Sequence, residues 1–132
     1  MKTFLGIGLG PIQTGIFVSG ASKGNFDRIV VAEVDDTIRE AIRAAGGTIT
    51  INIAAPDRVY TEVCKNIEVY SPAKPEELEK LIAAAAEASE IATALPSVKF
   101  FGPTAQWLRD GFRHGLQPER DGRRMERISW RR

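Results

Sequence analysis

The chain has little of the chemistry on which disulfide frameworks and metal centres depend. Among its 132 residues there is one cysteine, Cys64, and one histidine, His114. A single cysteine excludes a disulfide within the chain, and one residue of each type cannot form a Cys/His metal cluster. Cys64 lies in an apolar segment, so we interpret it as a small buried hydrophobe. His114 stands in an arginine-rich segment, and we interpret it as a solvated side chain. No catalytic residue is expected from either.

A long uninterrupted apolar run is also missing. The uncharged stretch 3–22 follows Lys2 and could be taken for a secretory signal, but glycine, proline and glutamine interrupt it. A signal peptide needs about 7–15 unbroken apolar residues, and a membrane span needs about 20. We therefore expect a cytoplasmic protein with no membrane contact.

Composition and charge divide the chain into two parts. Apolar residues make up 43% and charged residues 27%, which is typical of a folded globular domain. Residues 1–112 carry 11 basic and 14 acidic side chains, whereas residues 113–132 carry 7 arginines and 3 acidic side chains. We predict one domain over 1–112 and an irregular, basic, arginine-rich tail over 113–132, with the boundary near Phe112.

Strand-like and helix-like patterns alternate along the first part. The predicted strands are 2–7, 28–34, 48–53, 59–63, 67–70 and 90–95, and the predicted helices are 12–21, 36–45, 76–88 and 105–112. Strands that alternate with helices indicate an α/β, Rossmann-like fold with a mostly parallel sheet flanked by helices. The strict alternation in 48–53 and the short strands that follow predict an antiparallel patch at a sheet edge.

A glycine-rich turn joins the first predicted strand to the first predicted helix. In a dinucleotide-binding turn the first glycine permits the tight bend, and the second lets a pyrophosphate approach the backbone beside a helix N-terminus. Gln13 stands where a third glycine is usual, and we expect Gly15 to relieve the crowding. The candidate cofactor-binding residues of this turn are Gly8, Gly10, Pro11, Ile12 and Gln13.

An acidic residue lies at the end of the second predicted strand, about 20 residues further on. Such a carboxylate accepts hydrogen bonds from the adenosine ribose of a dinucleotide. Glu33 and Asp35 are both candidates on spacing. A carboxylate there repels a 2′-phosphate, so NAD is favoured over NADP. The competing interpretation is a nucleotide-free α/β turn with a solvated acid.

Residues 8–17 resemble the glycine-rich opening of the mannitol (polyol) dehydrogenase family, whose usual form is G-x-G-x-I-G-R-G-F. The matches are Gly8, Gly10, Ile12 and Gly15, and the departures are Gln13 for glycine and Thr14 for arginine. Residues 31–34, Val-Ala-Glu-Val, are similar to the second strand of that family, which ends in Ala-Asp-Val. The resemblance therefore selects Glu33 as the ribose ligand.

The resemblance covers residues 1–112 and implies the NAD-binding domain of a polyol dehydrogenase. It implies that Thr93, Ala94 and Leu95 line the cofactor crevice at the end of the fourth main strand. The family carries its chemistry on a lysine, an asparagine and a histidine of a helical C-terminal domain, and nothing here matches them. The chain is thus expected to bind a dinucleotide but to be inactive alone. From the composition of the tail, we expect it to be an end left by truncation or frame change of a longer dehydrogenase gene.

Two other functions compete with this one. An α/β interaction module that has lost its cofactor would self-associate through an exposed sheet face or edge, and a homo-oligomer is expected in either case. Nucleic-acid binding by the tail, through arginines and Trp130, is the less favoured alternative.

Overall fold

The computed structural model of the chain describes residues 2–10, 13–95, 98–115 and 129–131. Its strands are β1 (Thr3–Ile7), β2 (Arg28–Ala32), β3 (Ile49–Ala54), β4 (Val59–Cys64), β5 (Ile67–Tyr70), β6 (Ala88–Thr93) and β7 (Ser129–Arg131). Its α-helices are α1 (Ser19–Lys23), α2 (Asp36–Ala44), α3 (Pro75–Glu87) and α4 (Phe101–Gly115). A π-helix (Gln13–Val18) leads into α1, and a 3-10 turn (Val98–Phe100) leads into α4.

Parallel pairing organises the main sheet, whose strand order is β5-β2-β1-β6-β7. Leu5 of β1 lies opposite Val30 of β2 on one side and Ile91 of β6 on the other. The strands β3 and β4 form a separate two-stranded antiparallel sheet. The predicted α/β, Rossmann-like fold with a parallel sheet flanked by helices is therefore confirmed.

Two apolar clusters cover the two faces of the sheet, since successive strand side chains point to opposite faces. Phe4 and Val31 face a cluster that includes α1, α2 and the β3–β4 hairpin. Leu5 and Val30 face a second cluster, built with α3 and α4. Every residue of β1 is buried, which explains why its sequence is continuously apolar rather than alternating.

The segment Ile67–Tyr70 corrects the predicted antiparallel patch. It pairs in parallel with β2 and forms an edge of the main sheet, whereas the β3–β4 hairpin is not an edge of that sheet. Asn66 adopts φ 60° and redirects the chain between β4 and β5, a conformation that asparagine tolerates better than most residues. Because β5 has only four residues, its sequence pattern is too short to distinguish a parallel partner from an antiparallel one.

The start of the first helix differs from prediction, whereas α2 begins at the predicted residue. Six residues at the start of the first helix are π-helical, in a segment where glycine and β-branched residues are weak α-helix formers. Asp35 caps α2, because it precedes the helix and its side chain accepts a hydrogen bond from the Ile38 N–H at 3.1 Å.

Regular structure extends beyond the predicted boundary at Phe112. The helix α4 continues to Gly115, since Leu108 packs in the second cluster and Gly111 lies so close to α3 that an added Cβ would be 2.6 Å from the Ala85 Cβ. Ser129–Arg131 pairs with β6. The expectation of an irregular tail is therefore wrong at 113–115 and 129–131. Residues 116–128 and 132, with most of the arginines considered for nucleic-acid binding, lie outside the described residues.

Charged side chains occupy the amino-terminal edge of the sheet. Arg28 contacts Glu68 through two hydrogen bonds of 2.7 and 3.0 Å and also pairs with Glu87. The Arg28 guanidinium lowers the pKa of the Glu68 carboxyl despite its partial burial. These charged groups pair with one another, so we assign them a role in stabilising the sheet and do not treat them as a candidate site.

The opposite, carboxyl-terminal edge contains the point where the direction of winding reverses. The chain runs outward from β1 to β2 and β5, and then returns across the sheet to β6 on the other side of β1. In open α/β sheets, ligands bind in the crevice outside the carboxyl ends of the strands at such a switch point. The predicted glycine turn directly follows β1 and so lies at this crevice.

Candidate functional site

Gly8 forms the bend at the end of β1. It has φ 84°, and its N–H donates to the Ala32 carbonyl at 2.8 Å. A Cβ at Gly8 would lie 2.7 Å from the Ala94 carbonyl oxygen. Both the dihedral angle and the close approach therefore require glycine at this position.

Gly10 is different because its surroundings are open. Among the described residues, apart from its chain neighbours, no atom lies within 4 Å of a Cβ added there. The described packing therefore leaves room for a side chain at Gly10, whereas the close approach of a ligand to the backbone would require glycine. Pro11 and Ile12, the next two predicted cofactor-binding residues, lie outside the described residues.

Gln13 takes the place of the usual third glycine and is completely buried. Its Nε2 donates to the Ala92 carbonyl at 3.0 Å, with a longer contact of 3.4 Å to the Ile7 carbonyl. The side chain lies over Gly6, where an added Cβ would be 2.8 Å from Nε2. Gly6, not the exposed Gly15, provides the room that the glutamine needs. The Gln13 side chain therefore lies on the sheet, and its Oε1 is a buried atom without a hydrogen-bond partner in the described structure.

Glu33 is brought against the glycine turn by the end of β2. Its Oε1 accepts a hydrogen bond from the Leu9 N–H at 3.0 Å, and its Oε2 accepts one from the Asp35 N–H at 3.1 Å. Asp35 directs its own carboxylate to the Ile38 N–H as the helix cap. Of the two acids that spacing left open, Glu33 is therefore the one whose carboxylate faces the turn.

The last residues of β6 and those after it form the other side of the crevice. Thr93 is the buried final residue of β6. The Ala94 N–H donates to the Ile7 carbonyl at 2.8 Å, and Leu95 packs against the second core cluster. Gly8 lies close to both Ala94 and Leu95. The structure thus brings these three predicted residues beside the first glycine.

Arg39 of α2 contacts the backbone of Glu33. It is a residue of the site that the sequence pattern did not identify. The side chain is only 2% exposed, and its Nη1 donates to the Glu33 carbonyl at 2.9 Å. It also pairs with Asp36, and its Nε lies 4.0 Å from Glu77 Oε1. One signal in the sequence could have found it: Arg39 lies three residues before Ile42 and so shares the inward face of the helix.

Glu77 joins this cluster from the start of α3. It pairs with Arg43 and accepts a hydrogen bond from the Ser71 N–H at 3.1 Å. Burial opposes ionisation, yet the hydrogen bonds from Arg43 and the Ser71 backbone lower the pKa of the Glu77 carboxyl. The cluster thus fixes the end of β5 and the start of α3 beside α2.

No family model and no curated protein sequence matches this chain. What the site can do is therefore argued from its own residues. Two surface depressions, of about 460 and 360 Å³, lie along the outer edge of β5 and between α1 and the hairpin. Neither is lined by residues of the glycine turn or by Glu33, so neither displaces the switch-point crevice as the candidate site.

Other candidate chemistry is limited within the described ranges. Cys64 is buried in the first core cluster, in agreement with its interpretation as a small hydrophobe. His114 lies in the last turn of α4, and its side chain is outside the description. Over the described residues, no three His, Cys, Asp or Glu side chains come together as a metal site would require. No helix in the same ranges has the length and apolarity for a membrane crossing.

Proposed function

We propose that the crevice between the ends of β1 and β6 binds a dinucleotide, NAD rather than NADP. One observation carries the proposal: at the switch point of the sheet, the carboxylate of Glu33 lies 3.0 Å from the Leu9 N–H of the glycine turn. A glycine turn and an acidic strand end, widely separated in sequence, thus meet at the place where open α/β sheets bind nucleotides.

The residues of the crevice fit such a ligand. The absence of a side chain at Gly10 leaves space through which a pyrophosphate can approach the turn. Glu33 accepts one hydrogen bond at each carboxylate oxygen, and since a carboxylate has about four acceptor positions, it retains capacity for ribose hydroxyls. Gln13, the main departure from the usual motif, lies on the sheet over Gly6 and leaves the crevice clear.

The reaction class that we propose follows from the chemistry of the bound cofactor. NAD supplies hydride-transfer chemistry, while the protein contributes binding and orientation. By its resemblance to mannitol dehydrogenases, we propose that this chain is the nucleotide-binding domain of such a system and has no catalytic residue of its own for hydride transfer.

Titration of the purified chain with NADH, followed by cofactor fluorescence, tests the proposal. We expect saturable binding that is lost in Gly10→Val, because the added side chain fills the space for the pyrophosphate, and weakened in Glu33→Ala. Gly20→Val is the matched control, since Gly20 also has no neighbour within 4 Å of an added Cβ but lies in α1. It should bind NADH as the unmodified chain does.

Two results would contradict the proposal. One is no binding up to about 1 mM NADH, which corresponds to an affinity weaker than about 4 kcal/mol. The other is equal binding by Gly10→Val and Gly20→Val, which would place the ligand elsewhere.

A second candidate function, self-association, is favoured by the outer face of the β3–β4 hairpin. Val59 is 72% and Val63 is 51% exposed there, and they lie opposite Ala54 and Thr50 on a face without charged residues. The outer edge of β5 is a poorer interface, because Gly47 and Arg43 already contact its backbone. Light scattering after size exclusion should then show a dimer that Val63→Lys disrupts; a monomer at all concentrations would exclude this candidate.

A further inference from the structure

The carboxylate of Asp36 lies between two cationic side chains, near the end of β2. Asp36, the first residue of α2, pairs with Arg39 and lies 3.8 Å from the Nζ of Lys74. Its own side chain is 69% exposed, whereas that of Arg39 is 2% exposed. Asp36 is therefore the solvent-exposed partner of the buried guanidinium.

The same guanidinium connects Asp36 to the proposed nucleotide site. The Nη1 of Arg39 donates to the Glu33 carbonyl at 2.9 Å, while Nη2 pairs with Asp36. Because the two nitrogens belong to one planar group, Arg39 links the Asp36 carboxylate to the backbone carbonyl of Glu33.

The group that these cations would otherwise attract is a phosphate. An arginine near the acidic strand end accommodates the 2′-phosphate in NADP-binding domains, and guanidinium groups match phosphate geometry. Here the buried arginine is already neutralised by Asp36. Lys74 lies 3.8 Å from both Asp36 Oδ1 and Glu77 Oε2, and Arg43 is engaged by Glu77 and the Val69 carbonyl. The Asp36 carboxylate thus occupies the position beside Arg39 and Lys74 that an anionic ligand would otherwise take, which we term the anion position.

We infer that Asp36 determines specificity at this site: its carboxylate occupies the anion position between Arg39 and Lys74, so that a 2′-phosphate is excluded and a free ribose hydroxyl is selected. This rests on the proposed function. Glu33 repels the phosphate by its negative charge. Asp36 acts as a second acid, because it pairs with the cations that would otherwise bind the phosphate.

The test is the ratio of NADPH to NADH dissociation constants, measured by fluorescence titration in wild-type and variant chains. Asp36→Ser removes the charge and opens the space above Arg39, and Asp36→Asn removes the charge with little change of shape. We expect the ratio to fall about tenfold in Asp36→Ser and by less in Asp36→Asn. Adding Lys74→Gln to Asp36→Ser should reverse most of the change.

Glu40→Gln is the matched control, since it removes the same charge from an exposed position on the same helix. A wild-type ratio in both Asp36 variants, with NADH binding intact, would overturn the inference while leaving the proposed function standing. An equal fall in Glu40→Gln would also overturn it, because the effect would then be general electrostatics. Absence of NADH binding in the wild-type chain would reject the proposed function and the inference with it.

Discussion

Replacement of Gly8 by alanine is expected to lower the free energy of unfolding by about 2–4 kcal/mol. Two costs combine at this position. The backbone has φ 84°, which an L side chain rarely adopts, and the new Cβ would lie 2.7 Å from the Ala94 carbonyl oxygen. Because that oxygen belongs to the backbone, relief requires movement of the chain after β6. NADH binding should be lost as well, since Ala94 and the turn form the two sides of the crevice. Urea unfolding followed by circular dichroism measures the stability change.

Gly10→Ala provides the comparison for this prediction. Gly10 lies two residues further along the same turn, but a Cβ added there meets nothing within 4 Å in the described part of the chain beyond its immediate neighbours. Its unfolding free energy should stay within about 0.5 kcal/mol of the wild-type value. If Gly8→Ala were as stable as Gly10→Ala, the packing of the turn against the end of β6 would be wrong.

Gly6→Val is expected to be the second strongly destabilising change, by about 2–4 kcal/mol. Gly6 lies in the middle of β1, where valine would suit the strand, but a Cβ there would be 2.8 Å from Gln13 Nε2 and 2.9 Å from its Cδ. The buried amide would have to leave the Ala92 carbonyl that it contacts at 3.0 Å. A buried polar group without a partner lowers the stability of the fold by more than its hydrogen bond had contributed.

The double variant Gly6→Val/Gln13→Gly should recover much of that loss. Glycine at position 13 is the usual residue of a dinucleotide-binding turn, and the valine would fill the space that the glutamine vacates. A double-mutant cycle on unfolding free energies should give a favourable coupling of about 1–3 kcal/mol. Additive effects would mean that the two residues do not share the space.

Much of the fold follows from local sequence patterns. The largely apolar β1 and β2 predict buried parallel strands. Pro75 with two glutamates at the start of α3 predicts that helix to within one residue. The positions of the glycine turn and of Glu33 are likewise predictable, because strand ends and glycines mark them.

The remaining features depend on contacts that spacing does not reveal. The placement of β5 depends on a left-handed Asn66 and on pairing with a strand almost 40 residues away. The buried position of the Gln13 side chain depends on Gly6, which leaves room for it. From the strand pattern alone, Gly6 is recognisable only as a residue that is unfavourable in a strand. Asp35 and Glu33 were equivalent by spacing, and only the hydrogen bonds to the Ile38 and Leu9 N–H groups separate the helix cap from the site residue.

Amide chemical shifts of the ¹⁵N-labelled chain during titration with NAD test the central claim most directly, because they report where the ligand binds. We expect saturable shifts at Leu9, Gly10 and the residues after β6, with little change at Val59 and Val63 of the hairpin. The absence of shifts at millimolar NAD, or shifts confined to the hairpin, would contradict a dinucleotide site at the switch point of the sheet.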